Sequence, residues 1–415
     1  MAEITEAVLV DYARTPFGMA SKKRPGFFAD RRADDLASIV VEALIKRTRI
    51  DPSSIDEVIM GTVNQIGEQA NPGRGVAMMT CPFEVAGLSV DRACCSGMTA
   101  AHIACMAIQL GIGNTYICGG FESHSRFPTP VITPDTDFVA LAKEYGTSRA
   151  MPNLKIFEKV DLGAVVGMGL TAEKLAEMFG ISREEQDQWA LRANLTAAAA
   201  QREGKFKHEI IPVEGKLPDG TTRLVDYDQG VKADSTIEKI RSLPPVYGPD
   251  GTICAASASK ENDGATAGVF MSKEKARELG LVPMVTIRAM AWVGVDPKIM
   301  GYGAVVASRK ALKQAGLSVN DIDLWEINEA FAVVPLVQIK EMGIDPEKVN
   351  VNGGACCIGH PTGASGVRLI GTLACEMNRR HSRYGLAAIC GGWGAGTATV
   401  VERKQYWEGR RSFFS

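Results

Sequence analysis

Apolar positions recur roughly every three to four residues over 35–47 and again over 304–315, the spacing of helices that bury one face. Each helix leads through a polar turn into a compact apolar run. The first turn is Asp51-Pro52-Ser53-Ser54-Ile55-Asp56 before 57–61; the second is Ser318-Val319-Asn320-Asp321-Ile322-Asp323 before 324–327. An asparagine follows each run, Asn64 and Asn328. The correspondence goes further. Residues 96–110 and 365–380 read as helices rich in small side chains, and each precedes a strand ending Ile-Cys-Gly-Gly, at 116–120 and 388–392. One α/β unit is used twice. Helices alternating with strands predict right-handed crossovers and largely parallel sheets.

The two copies differ in what comes next. After the second Ile-Cys-Gly-Gly the chain enters the β-rich run 397–401, whereas after the first the comparable strand, 265–271, arrives much later. The intervening segment reads as an insertion. Its part 127–137 is rich in Pro and Thr and reads as loop; 171–179 and 182–202 read as helices, the latter with Ser182 and Glu185 in a capping-box pattern. Stretches 212–228 and 243–251 read as loop or short strand. The expected domains are therefore 1–121 with 252–278, an inserted loop or lid domain over 122–251, and 279–415.

At 415 residues the chain exceeds one ordinary core. Apolar residues make up 46% and charged residues 23%, a soluble globular balance. The net charge of −2 argues against nucleic acid or a membrane surface as partner, and no apolar run is long enough to cross a bilayer. The opening Met1-Ala2-Glu3-Ile4-Thr5-Glu6 reads as leading into a strand without a leader. Ser412-Phe413-Phe414-Ser415 is not a peroxisomal address. A cytoplasmic location is expected, with the ten cysteines as reduced, mostly buried thiols.

The most distinctive stretch is Val351-Asn352-Gly353-Gly354-Ala355-Cys356-Cys357-Ile358-Gly359-His360-Pro361-Thr362-Gly363-Ala364-Ser365-Gly366. It places a histidine in a glycine-rich turn that opens onto a helix beginning near Ala364. Such a helix start offers unpaired N–H donors and partial positive charge. His360 is suited to act on a developing anion; the plainer reading is a neutral histidine held by backbone groups. Cys357 and His360 have a zinc-ligand spacing, but a structural zinc site takes four ligands, usually as two pairs. The chain has no Cys-x-x-Cys, and no metal is expected.

In Asp91-Arg92-Ala93-Cys94-Cys95-Ser96-Gly97-Met98-Thr99-Ala100 a cysteine precedes a small-residue helix, whose dipole and free N–H groups are expected to lower its pKa. The plainer reading is a Cys-Cys pair filling space. Cys390 ends an apolar strand before Gly391-Gly392-Trp393-Gly394-Ala395-Gly396. Another strand follows that turn, which removes the phosphate-binding logic of a dinucleotide fold; its plainer reading is a buried strand cysteine.

Taken in order, Cys94-x-Ser96-Gly97, Asn328-Glu329-Ala330-Phe331, Gly359-His360-Pro361 and Cys390 with its glycines resemble the thiolase family. So do Gly167-Met168-Gly169-Leu170-Thr171-Ala172-Glu173, Asp263-Gly264-Ala265 and Val295-Asp296-Pro297-Lys298-Ile299-Met300-Gly301. The resemblance spans nearly the whole chain. It implies an α/β fold of two stacked halves in five layers, αβαβα, with the insertion over the active site. It implies an acyltransferase that uses coenzyme A as co-substrate and no bound cofactor. Cys94 would be the nucleophile, His360 its base, Cys390 the acid/base at C2 of acetyl-CoA, and Asn328 the holder of a water. Backbone N–H groups of Cys94 and Gly392 would form an oxyanion hole. Ser259 would lie near the pantetheine arm, and Met168, Met300 and Phe331 around the acyl group; by themselves those three read as ordinary core.

The sequence departs from the family pattern near the acyl site. Gly167 stands where a histidine is often found, and Tyr302 precedes Gly303-Ala304 where Gly-Pro is usual. Trp393 interrupts an all-glycine turn, and Lys260-Glu261 replaces small or apolar residues. The lost imbidazole volume and the added aromatic walls of Tyr302 and Trp393 point to a bulky, branched, aromatic or carboxylated 3-oxoacyl group. Where relatives offer an arginine to the CoA nucleotide the chain has Pro244, with Arg241 as substitute. The other readings are a short-chain thiolase joining two acetyl-CoA molecules and a non-catalytic scaffold subunit. The resemblance further implies a homodimer or homotetramer formed through the N-terminal half; a small accessory subunit required for activity is a further candidate partner.

Overall fold

The structure, a computed structural model, describes residues 5–21, 25–127, 135, 137, 159–160 and 167–405. Apart from Phe127, Asp135 and Asp137, the loop expected at 127–137 lies outside the described residues, as do 1–4 and 406–415.

The first unit runs β1 (Ala7–Arg14), β2 (Gly18–Met19), α1 (Ala33–Thr48), β3 (Glu57–Gly61), α2 (Pro72–Thr80), β4 (Ala86–Val90), α3 (Ser96–Gln109) and β5 (Thr115–Ser123). The inserted segment contributes α4 (Met168–Phe179), α5 (Arg183–Arg202), a hairpin of β6 (Val213–Lys216) and β7 (Thr222–Val225), and α6 (Ile237–Arg241). The chain then rejoins the first unit through β8 (Asn262–Ser272) and α7 (Lys273–Glu278). The second unit runs β9 (Val285–Gly294), α8 (Gly303–Ala315), β10 (Leu324–Ile327), α9 (Val333–Met342), α10 (Ser365–Arg380), β11 (Tyr384–Gly391) and β12 (Ala395–Glu402).

Duplication is visible in the strand order. The first half has β4-β3-β5-β8-β1 and the second β10-β11-β12-β9, so β3-β5-β8-β1 corresponds strand for strand to β10-β11-β12-β9. A short pairing of Val8 with Thr286 and Leu9 with Val285 joins the two. The sheets are mixed, not largely parallel. β3 runs parallel to β4 and β5, and β10 to β11, but β8 and β12 lie antiparallel to both of their main neighbours. The helix–strand alternation breaks at these strands: β12 returns from β11 through a tight turn, and β8 arrives after the insertion.

Three apolar layers hold the halves together. One lies between α1 and α2 and the first sheet, and another between α8 and α9 and the second. The middle one surrounds α3 and α10, which are enclosed between the sheets. This gives five layers, αβαβα. Sequence explains the difference between outer and inner helices. α1 buries Leu36, Val40, Val41 and Leu44 on one side, with Asp34 and Asp35 in its first turn and Lys46 and Arg47 in its last, where each suits the helix dipole. α10 is buried from Ser365 to Met377. In the insertion, Ser182 and Glu185 form the reciprocal capping box on α5. Among the described residues no helix is long and apolar enough to cross a membrane.

Candidate active site

The central helices decide where the reactive groups lie. A Cβ on Gly97 would come within 2.6 Å of the Gly363 carbonyl oxygen, and one on Gly366 within 2.0 Å of the Met98 nitrogen. Glycine at these points lets α3 and α10 touch backbone to backbone. Cys94 lies three residues before Gly97, and His360 three before Gly363. The cysteine turn and the histidine loop are thereby set side by side at one end of the helix pair.

Each turn is shaped locally. Ala93 has φ +47°, so the chain doubles back just before Cys94. In the other turn Gly359 has φ +114°, and a Cβ there would meet Asn262 Oδ1 at 2.4 Å. His360 N–H donates to Asn262 Oδ1 at 3.1 Å and to the Lys260 carbonyl at 3.2 Å, which fixes the loop to the start of β8.

The imidazole has a defined tautomer. Ser365 Oγ donates to the Pro361 carbonyl at 2.9 Å, so its 2.6 Å contact with His360 Nδ1 receives the ring proton. Nε2 keeps its lone pair and faces Asn328 Nδ2 at 3.4 Å. Burial, with His124 and Arg368 nearby, drives the His360 pKa down to about 3. The ring is a neutral base.

Cys94 departs from expectation. Its side chain is half-buried, and burial pushes the thiol up to about 11. Hydrogen bonds from the Gly392 and Cys94 backbone lower it, while Glu122 and Asp91 add to the rise. The dipole of α3 does not overcome this: the helix begins two residues later, at Ser96. Cys390 is fully buried at the end of β11, and desolvation together with the neighbouring Cys94 and Cys95 holds its pKa far above an ordinary thiol. Cys95 packs behind them, its Sγ 3.5 Å from the Ile389 carbonyl. At neutral pH Cys94 and Cys390 carry protonated thiols and His360 a neutral imidazole.

The apolar residues gather on the same side. A Cβ on Gly392 would lie 3.3 Å from Met168 Sδ, so Met168 rests on the turn that contacts Cys94. Gly167 caps α4 just before it. Met300 is buried in the turn Pro297–Tyr302, which packs with α4 and with the turn Gly392–Gly394. Phe331 is buried edge-on to Tyr247, 5.8 Å between centroids, and Ser259 N–H donates to the Ala330 carbonyl at 2.9 Å. Trp393 takes φ +66° and leaves its ring 51% exposed, at a rim.

Two expected contributors are engaged elsewhere. Tyr302 stacks on Phe179 at 5.2 Å, and its hydroxyl joins Glu341 and Arg309 beside α8 and α9, so it is not an acyl-site wall. Arg241, exposed on α6, is paired with Glu184 on α5. A cleft of about 820 Å³ between α4 and the loop carrying Tyr247 lies apart from the thiols.

Sequence reasoning passed over several residues that build this site. Glu122, fully buried at the end of β5, accepts hydrogen bonds from Thr62, Val63, Asn64 and Gln69 of its own half and from Thr362 and Gly363 of the histidine loop. His124 follows, its Nε2 3.5 Å from Thr362 Oγ1. The available signal is an acid and a histidine at the C-terminal end of a strand that runs parallel to β3, where α/β sheets collect ligands. Glu329 accepts from Trp189 Nε1, Asn350 Nδ2 and Cys356 N–H at 2.8–3.0 Å, tying α5 to the loop. Among the described residues no cluster of three or more His, Cys, Asp or Glu side chains is placed to hold a metal ion.

Residues 7–274 match the thiolase N-terminal domain and residues 281–403 the thiolase C-terminal domain. The chain belongs to the thiolase family. It is an acyltransferase by that membership. A 3-ketoacyl-CoA thiolase of Marinobacter nauticus is 42% identical over 405 residues, covering 96% of this chain and 98% of that one. One from Pseudoalteromonas translucida is likewise 42% identical, with 96% and 99% covered. Among solved thiolase-fold structures, the Bacillus anthracis acetyl-CoA acetyltransferase superposes with TM-score 0.85 at 36% identity, covering 97% of this chain and all of that one. The human mitochondrial 3-ketoacyl-CoA thiolase gives 0.84 at 33% identity, with 97% and 99% covered.

Proposed function

We propose that this thiolase cleaves a 3-oxoacyl-CoA with a second CoA, giving acetyl-CoA and a shortened acyl-CoA. The observation that carries the reading is the close approach of α3 and α10 at Gly97 and Gly363, which sets the turn bearing the protonated Cys94 thiol beside the loop bearing a neutral His360 whose Nδ1 is taken up by Ser365. Nε2 takes the proton as Cys94 sulfur attacks the 3-keto carbon. The C2–C3 bond breaks, leaving the acyl group on sulfur and an acetyl-CoA enolate. Cys390, held protonated by burial, supplies the proton at C2. The Cys390 thiolate takes the proton of the incoming CoA thiol, whose sulfur attacks the thioester carbon and takes the acyl group, and His360 returns its proton to the departing Cys94 sulfur. Backbone N–H groups of Cys94 and Gly392 serve one oxyanion; His360 and a water held by Asn328 serve the other. Asn328 Oδ1, buried and without a hydrogen-bond partner among the described residues, suits that task.

For the acyl group, the reading is a bulky, branched, aromatic or carboxylated chain, supported by Gly167 beside Met168 and by Trp393 at the rim. Ser259 takes the pantetheine side. Arg241 serves the CoA nucleotide only by releasing Glu184. The segment 122–251 acts as a domain over the site. Assembly as a homodimer through the N-terminal half is supported by the edge strand β4 with Met78, Met79 and Phe83 exposed close by. Light scattering distinguishes dimer from tetramer and from monomer.

The test is thiolysis across acetoacetyl-CoA and longer straight, branched, aromatic and dicarboxylic 3-oxoacyl-CoAs, with Cys94→Ala as blank. Bulky members should be preferred. Preference for acetoacetyl-CoA would return the chain to the short-chain thiolases, and silence on every member would favour a scaffold.

A further inference from the structure

Lys260 joins two parts of the site. Its carbonyl accepts from His360 N–H at 3.2 Å, and the residue before it is Ser259. Its side chain runs back along its own segment. The stem passes Gly230, where a Cβ would meet the Cys357 carbonyl oxygen at 2.3 Å and Lys260 Cγ at 3.7 Å. Nζ then donates to two main-chain carbonyls, that of Ala255 through a short hydrogen bond and that of Ala258 at 3.4 Å. Among the described residues this ammonium forms no ion pair with a carboxylate.

The two carbonyls lack other donors. Residues 254–258 make a single turn, in which the Ser257 and Ala258 N–H groups both donate to the Cys254 carbonyl at 3.1 Å. No further turn of helix follows to supply N–H groups to the carbonyls beyond it. Among the described residues no backbone N–H bonds to the carbonyl of Ala255 or Ala258. A lysine placed just past the end of a turn meets such carbonyls and carries the charge that their dipoles favour. The same turn is stitched to the stretch that carries Phe331. Ser259 N–H donates to the Ala330 carbonyl at 2.9 Å, and Ala332 N–H to the Ser257 carbonyl at 2.7 Å.

We propose that Lys260 is a positioning residue for coenzyme A and its thioesters: its ammonium, bonded to the Ala255 and Ala258 carbonyls, fixes the turn that presents Ser259 beside Phe331. The proposal rests on the thiolase reading, which puts Ser259 on the pantetheine side, and deepens it. Without the ammonium both carbonyls turn toward water and Ser259 loses its place. His360 keeps its own, because Asn262 and Ser365 hold it as well. Binding therefore suffers more than the chemical step.

The test compares wild type with Lys260→Met, which keeps a long stem without N–H donors, and Lys260→Ala, which leaves room for propylammonium. In both variants KM for 3-oxohexanoyl-CoA and for CoA should rise about tenfold, the scale of a lost hydrogen bond to a charged group, with a smaller change in kcat. Propylammonium should restore most of the lost affinity in Lys260→Ala. Tetramethylammonium, equally charged but without N–H, should not. Equal rescue by the two cations overturns the proposal, because the lysine would then act through charge alone. An unchanged KM in Lys260→Met also overturns it. So does a rise that propylammonium leaves in place, which would assign the loss to packing of the stem. Calorimetric titration of CoA into the same three proteins, with each cation in turn, reads these ratios without turnover. If wild type cleaves no 3-oxoacyl-CoA the thiolase reading fails, and the CoA affinities still decide the role of Lys260.

Discussion

Ser365 Oγ sits 2.6 Å from His360 Nδ1 while donating its own proton to the Pro361 carbonyl, so one hydroxyl on the first turn of α10 sets which imidazole nitrogen is basic. Ser365→Ala removes the acceptor and frees the ring to turn or to protonate at Nε2. Loss of such an orienting partner typically costs about 10- to 100-fold. We expect kcat for thiolysis to fall by that factor with KM for the acyl-CoA little changed. Ser365→Thr, which keeps the hydroxyl, should recover much of the rate. A fall in KM affinity without loss of kcat would show that the serine shapes the binding site instead.

Cys94 titrates at about 11 and His360 at about 3, so the pair is neutral from acid to mildly alkaline pH. Only thiolate alkylates. The rate of iodoacetamide inactivation of the free enzyme should therefore rise about tenfold per pH unit from pH 6 to 10, without levelling. A plateau near neutrality would mean a preformed thiolate–imidazolium pair and would contradict the burial argument. Cys94→Ser should leave a protein that resists inactivation at this site.

Buried histidines set the acid side of stability. His102, on α3, is enclosed with Nε2 2.8 Å from Thr399 Oγ1, and burial with Arg92 nearby lowers its pKa from 6.5 to about 3. Because the folded-state pKa is depressed, the unfolded chain takes a proton below pH 6.5 that the folded chain refuses. Stability is lost as pH falls from 6.5 toward 3, by about 1.4 kcal/mol per unit for each such histidine. Between pH 7.5 and 5.0, His102→Gln should shrink the acid-induced loss in urea unfolding free energy by about 2 kcal/mol, whatever it costs at pH 7.5. An undiminished loss would assign the acid sensitivity to other groups.

The repeated unit was legible because helix and strand periodicities are local, and so were the ends of the elements that carry Cys94, His360 and Cys390. Strand direction was not. β8 follows a long insertion, and nothing in its alternation says that it pairs antiparallel with both β1 and β5. The direction of the Cys94 shift was also hidden, since a helix start is visible in sequence while desolvation and a carboxylate 28 residues away, Glu122, are tertiary facts. Tyr302 illustrates the same limit. Its neighbourhood in the chain points toward the acyl site, but Phe179, Glu341 and Arg309 give its ring and hydroxyl better partners on the outer face. Ser365, by contrast, lay inside the motif and was read only as a helix start.

Glu122 offers the sharpest test of how the halves cooperate. One carboxylate oxygen accepts from Thr62 Oγ1, Asn64 N–H and Gln69 Nε2, the other from Val63 N–H, Thr362 Oγ1 and Gly363 N–H, at 2.7–3.1 Å. Every partner is a donor. A glutamine has the same shape, but its amide nitrogen must face two N–H donors and a hydroxyl whichever way it turns. Glu122→Gln should lower the unfolding free energy by about 3 kcal/mol, the scale of leaving buried donors unmet. It should also release Thr362 and Gly363, two and three residues beyond His360, so kcat should fall further than the loss of folded protein explains. Urea unfolding followed by kinetics on the folded fraction separates the two effects. Full activity in the folded fraction would mean that the Asn262 and Ser365 contacts hold the histidine loop without help from the other half.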